Sequence, residues 1–454
     1  MPSFSGSFLY QAAQGSPAQP CPCRLDFDDE ALTLIPSSGA PLSCDLGDID
    51  ELLPKDYELH LKLYTGDRIV LSRLGKSFQD LEHDLKEAYR KRLVQCLLLD
   101  DLEEIERFDG NAELQSADGA FSAPAELRLY QSNLAALPQG QTGLQWRLAD
   151  IDSVYFDDTR YAVVVKSGSE ILLLSRLAKR TNEFLERLQA AVAEVSSRSA
   201  LSVRTVFPFL APEQFRRAAE LLKEGRMAPI AQLASIHAKT GPALAEKVLR
   251  ARLKPYYDYL TARTTPDGFY AGFKLIRKEA EPESEEDAGG PSIEAPDLKG
   301  SEIPDQTMGA ATAAGEDSDT EMLHWFIFPL RPQNGTGVPQ IAAWETTSRF
   351  GRATYFFRMF NPEEACALGE PAQAAVALDH AVRLLNRGLI LLNFRRSPIY
   401  LPDDALEMQP RYRRYAIACR KLPAVRFLRS SFLGRALHTS PQSWQQQVEH
   451  LVGC

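Results

Sequence analysis

The side chains that could carry out chemistry form three groups, and the first is a repeated pair of carboxylates. Asp48 and Asp50 flank one isoleucine, and Asp150 and Asp152 flank another. Alternate residues of a strand point to the same face, so each pair could present two carboxylates to a ligand. The same spacing also fits a solvated sheet face with the isoleucine buried behind it. We expect this structural role, because it requires no ligand.

The second group could form an enzyme site and comprises Glu345, Arg349, Arg352, His324 and His380. Such residues act only when folding brings them together, and His380 shares a helical stripe with Arg383 and Arg387 that fits a solvated surface. Cys21 and Cys23 could bind a soft metal or form a redox pair, although two cysteines in a proline-rich leader need neither role. No GxxxxGKS/T, GxGxxG, HExxH, paired CxxC or GxSxG motif occurs. We therefore predict no catalytic residue, no cofactor and no metal site.

The third group is basic and could contact anions or nucleic acid. Its members are Arg411, Arg413, Arg414, Arg420, Lys421, Arg426 and Arg429. Aromatic residues lie among them, and arginines with aromatic rings can bind phosphates and stack on bases. Residues 279–321 carry fourteen acidic residues and one basic residue, so this segment could mask the basic group, within a screening length of about 8–10 Å. Alternatively, the arginines are solvated or pair with the acidic segment while their helices pack by apolar faces.

Composition limits the class of protein. The 454 residues are 44% hydrophobic and 25% charged, with a formal net charge of −10, as is typical of globular proteins. No apolar run is long enough to predict a membrane-spanning helix, and the first basic residue is Arg24, which argues against a secretory signal. Seven cysteines without a CxxC motif favour reduced thiols in the cytoplasm.

The strongest pattern is an internal repeat at an offset of about 102 residues. Residues 23–50 align without a gap to residues 125–152, and both segments end in Asp-Ile-Asp. After one inserted residue, Leu71–Lys76 (LSRLGK) aligns to Leu174–Lys179 (LSRLAK). A solenoid needs at least three shorter units, so this repeat predicts a pair of similar domains.

Both copies predict the same order of elements. In the first copy, Tyr57–Leu63 alternates as a half-buried strand, Arg68–Leu74 forms the returning strand, and Phe78–Tyr89 has the apolar face of a helix. The second copy repeats this order from Tyr161 onwards. Short antiparallel strands followed by one amphipathic helix resemble a pleckstrin-homology-like (PH-like) domain, and the resemblance covers residues 23–197.

Phosphoinositide binding is disfavoured for both copies. In PH domains it requires basic residues around the loop between the first two strands. Here the first copy has Asp28 and Glu30 in that region, and the second has Gln131 and Asn133. Acidic or neutral loops do not attract phosphate groups.

The patterns together predict an α+β protein with several parts. These are a flexible leader (1–22), two tandem PH-like modules (23–110 and 111–197), a small helical connector (211–263) and a C-terminal α+β domain (264–454) that contains a disordered acidic loop (279–321). In the C-terminal domain we expect strands at 269–277, 324–330, 340–347 and 352–359, a helix at 371–387, and helices through 411–435 interrupted by Pro423. A third, diverged PH-like copy within 322–390 is an open alternative.

Three functions fit this organisation. The first is a non-enzymatic scaffold or adaptor that binds a protein partner through sheet edges or the grooves between sheet and helix. The second is a nucleic-acid-associated factor that binds through 411–435 and is masked by the acidic loop. The third is an enzyme whose site has no recognisable motif. We expect the first, in the cytoplasm and without an integral membrane segment.

Overall fold

The computed structural model describes most of the chain. The residues it does not describe are 1, 16–18, 117–118, 140–142, 169, 249–252, 265–267, 278–319, 333–336, 348–352, 369 and 454. The described residues form an α+β protein with three antiparallel sheets, which confirms the predicted fold class. The predicted disorder of the acidic loop falls on residues 279–319, outside the described part, whereas Thr320 and Glu321 begin a strand.

The first sheet is followed directly by one helix. Its strands are β1 (Ser3–Gln11), β2 (Cys21–Phe27), β3 (Ala31–Pro36), β4 (Leu42–Asp45), β5 (Ile49–Lys55), β6 (Glu58–Leu63) and β7 (Arg68–Ser72). They lie in the order β4-β3-β2-β1-β7-β6-β5. Helix α1 (Phe78–Cys96) buries Leu81 and Leu85 in the core of this sheet. Strands β4 and β5 are therefore the two edges, and the 3-10 turn Leu46–Asp48 joins them.

The second sheet has the same strand order. It comprises β8 (Glu104–Ser116), β9 (Gly119–Tyr130), β10 (Asn133–Pro138), β11 (Leu144–Arg147), β12 (Ser153–Asp157), β13 (Ala162–Ser167) and β14 (Glu170–Ser175), in the order β11-β10-β9-β8-β14-β13-β12. Helix α2 (Thr181–Val206) follows, and a 3-10 turn, Leu148–Asp150, again joins the edge strands. Two antiparallel sheets of this kind fit a PH-like fold.

A pair of equivalent glycines explains the repeated Ser-Arg-Leu sequence. A Cβ added at Gly6 in β1 would lie 3.0 Å from the Ser72 carbonyl oxygen and 2.7 Å from Leu74. A Cβ added at Gly110 in β8 would lie 2.8 Å from the Ser175 carbonyl oxygen and 3.1 Å from a Leu177 methyl. Only glycine allows this approach without a shift. In each repeat the arginine between serine and leucine has a left-handed backbone, with φ of 56° at Arg73 and 57° at Arg176. This conformation turns the following leucine into the core.

The rest of the chain forms a third sheet surrounded by helices. The elements are α3 (Pro212–Leu221), β15 (Ala228–Pro229), α4 (Ile230–Ile236), α5 (Thr240–Val248), α6 (Lys254–Ala262), β16 (Tyr270–Arg277), β17 (Thr320–Leu330), β18 (Ile341–Thr346), β19 (Ala353–Arg358), α7 (Pro362–Ala367), α8 (Pro371–Leu391), α9 (Ser397–Tyr400), α10 (Asp403–Met408), α11 (Pro410–Lys421), α12 (Pro423–Ser431), β20 (Phe432–Leu437) and α13 (Pro441–Val452). The strands lie in sequential order from β15 to β20. This order differs from that of the first two sheets, so residues 322–390 are not a third copy of the same module.

One hydrophobic core joins all three parts. It contains Leu93 of α1 and Leu97 directly after that helix, Ala135 and Leu137 from β10, and a large set of buried side chains from the third sheet and its helices. The two modules are therefore not independent units connected only by linkers. Each is packed against the C-terminal part through apolar surface, which is the dominant stabilising contribution in such contacts.

Three local predictions were wrong. The supposed flexible leader contains strand β1, which lies in the middle of the first sheet and alternates Phe4, Phe8 and Tyr10 around Gly6. Its serines and glycines concealed that alternation. Helix α2 continues to Val206 rather than ending near 197, and Phe432–Leu437 is a strand paired with β19. Pairing with a distant strand decided the last case, which local sequence does not reveal.

Candidate functional site

The link between the two edge strands of the first sheet is covered by another part of the chain. We call residues Asp45–Asp50 the first corner, because they link the edge strands β4 and β5. Helix α11 packs against this corner and against α1. Ile49 is fully buried, as expected, but Asp48 is only 8% exposed, so it does not lie on the solvated face predicted from sequence.

Asp48 is buried because two arginines of α11 neutralise it. Arg413 and Arg420 both form ion pairs with Asp48, and both also pair with Glu407 of α10. Burial raises the pKa of Asp48, while the two guanidinium groups act to lower it. Because these ion pairs are largely shielded from water, we infer that they hold α11 on the corner.

Most of the predicted anion-binding group takes part in internal contacts. Besides Arg413 and Arg420, the internal partners are Ile49 O and Asp50 for Lys421 (3.3 and 3.2 Å), Asp100 for Arg414 (2.9 Å), and Asp403 for Arg429. Within the described part of the chain, five of the seven basic residues are thus in ion pairs. Arg411 and Arg426 are exposed. Of the carboxylates in these pairs, Asp48 and Asp50 belong to the first module, whereas Asp403 and Glu407 lie in α10.

A cleft of about 750 Å³ lies beside the first corner. Its basic lining residues are Arg420, Lys421, Arg426 and Arg429, and its acidic ones are Asp50, Asp403 and Glu407. Tyr64 also lines it, with the Arg420 guanidinium 3.9 Å from the centre of its ring. Because the charges nearly balance, the cleft lacks the strong positive potential that phosphate binding requires.

The second corner, Arg147–Asp152, is also occupied, but by a loop. Arg147 stands where the first corner has Asp45, and its guanidinium donates to the Gly225 carbonyl at 2.8 Å. Arg226 of the same loop lies 3.4 Å from Asp152. The first corner therefore accepts basic side chains from a helix, whereas the second supplies its own arginine to backbone carbonyls.

The tips of two equivalent hairpins expose tyrosines. Tyr57 lies between β5 and β6 and is 80% exposed, and Tyr161 lies between β12 and β13 and is 65% exposed. Both have left-handed backbones, with φ of 62° and 48°, which is uncommon for aromatic residues. The rings of Tyr57 and Phe78 are 5.7 Å apart, and those of Tyr161 and Phe156 are 5.3 Å apart. Their alignment in the repeat was visible in the sequence, but their exposure was not.

No hydrogen bond or ion pair joins the described members of the group considered for an enzyme site, which are His324, Glu345 and His380. His324 is buried beside Phe273, and His380 lies exposed on α8. Arg349 and Arg352 are outside the described residues. Glu345 instead contacts His438, a residue that sequence analysis did not consider, at 3.0 Å.

This contact belongs to a buried polar cluster on the third sheet. Thr354 donates to Glu345 and lies 3.1 Å from His438 Nε2, while Trp444 Nε1 donates to Thr354 at 2.8 Å. Tyr256 stacks on His438 with ring centres 4.2 Å apart. Thr354 is fully buried, so its hydroxyl does not face a substrate. The cluster therefore stabilises the packing of α6 and α13 on the sheet.

Two features of the described residues concern metal binding and membrane insertion. No cluster of three or more His, Cys, Asp or Glu residues there could hold a metal ion. No helix in that part of the chain is both long and apolar enough to cross a membrane.

Comparisons with known proteins give limited similarity. No protein-family model and no curated protein matches the chain. Among solved structures, the C-terminal domain of an unknown protein from Leishmania infantum is similar at 11% identity, over 24% of this chain and 98% of that one, with a TM-score of 0.20. The pleckstrin homology domain of USP37 is similar at 13% identity, over 19% of this chain and 96% of that one, with a TM-score of 0.17.

Proposed function

We propose that this protein is a non-enzymatic, cytoplasmic protein-binding scaffold built on two tandem PH-like modules. The proposed modules are Ser3–Cys96 and Glu104–Val206, each comprising one sheet and the helix that follows it. Support comes from the identical strand order of the two sheets and from the repeated contact between glycine and the Ser-Arg-Leu turn. The helical connector and the C-terminal domain are the frame that holds them.

The equivalent exposed tyrosines carry the proposal of protein binding. The corner of each module is filled by the protein itself, which leaves the hairpin tips as repeated features that face solvent. Tyrosine presents a large rigid surface with few rotatable bonds and is enriched at the energetic centres of interfaces. Two such tips on one packed frame could engage one partner twice, and linked contacts bind more tightly than either contact alone.

The test is to compare protein capture by wild type and by a Tyr57→Ser/Tyr161→Ser variant from nuclease-treated lysate. We expect a defined set of proteins to be retained by the wild type and lost from the double variant, with each single variant retaining an intermediate amount. The matched control is Val376→Ser/Met408→Ser, which removes two apolar side chains that are 72% and 81% exposed elsewhere. Equal capture by the tyrosine variant and the control would contradict the proposed binding surface.

Contact with nucleic acid through residues 411–435 stays a prediction, but fewer basic residues can support it. Any nucleic acid would first meet Arg411 and Arg426, since the other five basic residues are paired internally. Reversing both charges, Arg411→Glu/Arg426→Glu, should then abolish a salt-dependent retention on nucleic acid without unfolding the protein. Retention that is unaffected by this variant excludes these residues as the contact.

A further inference from the structure

We propose that the Asp-Ile-Asp corner of each module is a binding site for a primary ammonium group. In this chain Lys421 fills the first site and Lys223 fills the second. The inference concerns the repeated motif itself and holds whether or not the tyrosine tips bind a partner.

The two lysines make the same contact at equivalent positions. Lys421 Nζ lies 3.3 Å from the Ile49 carbonyl oxygen, and Lys223 Nζ lies 3.4 Å from the Ile151 carbonyl oxygen. The two isoleucines are the central residues of the repeated motif. Lysine carries three N–H donors and no acceptor, which suits a site made of a carbonyl and a carboxylate.

The aspartate that follows each isoleucine adds a negative charge to the site. Lys421 Nζ is 3.2 Å from Asp50 Oδ1 in the first corner. In the second corner Asp152 pairs with Arg226 at 3.4 Å. Burial and the charge of Arg226 lower the pKa of Lys223, and the Asp152 carboxylate acts against both. Both sites therefore supply a carbonyl acceptor and a nearby negative charge, and in the first site the carboxylate also accepts directly from the lysine.

Position in the sheet explains why the carbonyl is available. Ile49 begins β5, and Ile151 lies just before β12, and both strands are sheet edges. Edge strands present backbone groups that no neighbouring strand satisfies. The Lys421 side chain is only 4% exposed, and a buried ammonium group must be compensated by hydrogen bonds and opposite charge.

The site belongs to the module rather than to the element that delivers the lysine. Lys421 arrives at the end of α11, whereas Lys223 arrives from the loop after α3. The residues before the motif also differ, because the first corner has Asp45 and the second has Arg147. Two unrelated segments thus bring a lysine to the same backbone carbonyl of the repeat, and this points to recognition of the ammonium group itself.

Chemical rescue tests the ligand class directly. Lys421→Ala removes four side-chain atoms beyond Cβ, and n-propylammonium replaces all of them. Lys421 lines the cleft beside the first corner, so the amine can reach the vacated position. We expect n-propylammonium chloride to raise the Tm of full-length Lys421→Ala above its Tm in equal tetramethylammonium chloride, because a ligand of the folded state stabilises it. Tetramethylammonium carries the same charge but donates no hydrogen bond.

Three further variants make the outcome specific. Wild type and Lys421→Met should show no difference between the two salts, since the position is filled. Lys62→Ala, which breaks a half-buried pair with Glu51 at 3.0 Å, should show none either. Asp50→Asn added to Lys421→Ala should weaken the rescue, because it removes the charged acceptor.

The second site gives an independent check. Lys223→Ala should be rescued by the same amine, and rescue at the first site alone would overturn the claim that the site is repeated. If Lys421→Ala is unfolded without amine, the same titration measures recovery of folding. An equal response of every variant to both salts overturns the proposal.

Discussion

Gly47 and Ile417 are in such close contact that no side chain fits between them. A Cβ at Gly47 would lie 2.8 Å from Ile417 Cδ1 and 2.7 Å from Cys96 Sγ. Helix α11 therefore packs directly against the backbone of the first corner. The equivalent residue of the second corner is Ala149, where the occupant is the loop that carries Gly225. The repeat keeps its motif but varies this position according to what packs on it.

Gly47→Ala should therefore destabilise the protein by about 1–3 kcal/mol, the usual cost of overpacking a core. The reason is steric, since the added methyl group meets α11 on one side and α1 on the other. Urea unfolding, followed by circular dichroism, measures the change in the free energy of unfolding.

Ile417→Val supplies the control, because it deletes the Cδ1 atom that the new methyl group would meet. In the double variant, part of the cost of Gly47→Ala should disappear, with Cys96 Sγ accounting for the remainder. Additive effects of the two substitutions would show that the contact does not limit the position.

The repeat also offers a matched pair of aspartates. Asp48→Ala should cost about 1–3 kcal/mol, because Arg413 and Arg420 lose one of the two carboxylates that they share, while Glu407 remains. The equivalent Asp150 is more exposed, and its pair with Arg147 is 3.8 Å long. Asp150→Ala should therefore cost less than about 1 kcal/mol. Equal losses in urea unfolding would contradict the view that burial distinguishes the two corners.

The repeat explains how much of the fold was predictable. Period-two alternation and the apolar helix faces predicted the later strands and the closing helix of each module. An element that is buried on one side has apolar residues at regular intervals in its sequence. Strand β1 was not predicted, because Gly6, which is required by its contact with Leu74, interrupts the alternating pattern. Strand β20 escaped because only its pairing with β19, many residues earlier, makes it a strand.

The candidate sites were less predictable for a physical reason. The basic residues of 411–435 were recognised as a group, but sequence does not reveal the distance between Arg413 and Asp48, which are 365 residues apart. Glu345 was singled out without its partner His438 for the same reason. The tyrosine tips depend on exposure, which is a property of the folded surface rather than of local composition.

The buried cluster on the third sheet should be sensitive to a single hydroxyl group. Thr354→Val keeps the shape of the side chain but removes the partner of Trp444 Nε1 and of Glu345. Unsatisfied buried polar groups cost about 1–3 kcal/mol, so we expect a loss of that size in urea unfolding. Thr33→Val, which removes a contact of 3.1 Å with Ser43 that is exposed to solvent, is the control and should change stability by less than about 0.5 kcal/mol. A loss no larger than that of the control would show that water replaces the hydroxyl.

His324 should make the protein less stable in acid. Burial lowers the pKa of His324 to about 4, whereas an exposed histidine titrates near about 6.5. Between these values the unfolded chain binds a proton that the folded protein does not, so stability is complete above about pH 6.5 and falls as the pH decreases towards 4. The shift corresponds to roughly 3 kcal/mol.

Replacing His324 with glutamine should remove this part of the pH dependence. The measurement is the free energy of unfolding in urea at pH 4, 5, 6 and 7, compared between wild type and His324→Gln. The variant should lose less stability than the wild type over this range, even if it is less stable at pH 7, because glutamine does not titrate. His83→Gln, at a side chain that is 78% exposed, should leave the pH profile unchanged. Parallel profiles for wild type and His324→Gln would mean that His324 becomes protonated in the folded protein without cost, and that its burial does not control stability in acid.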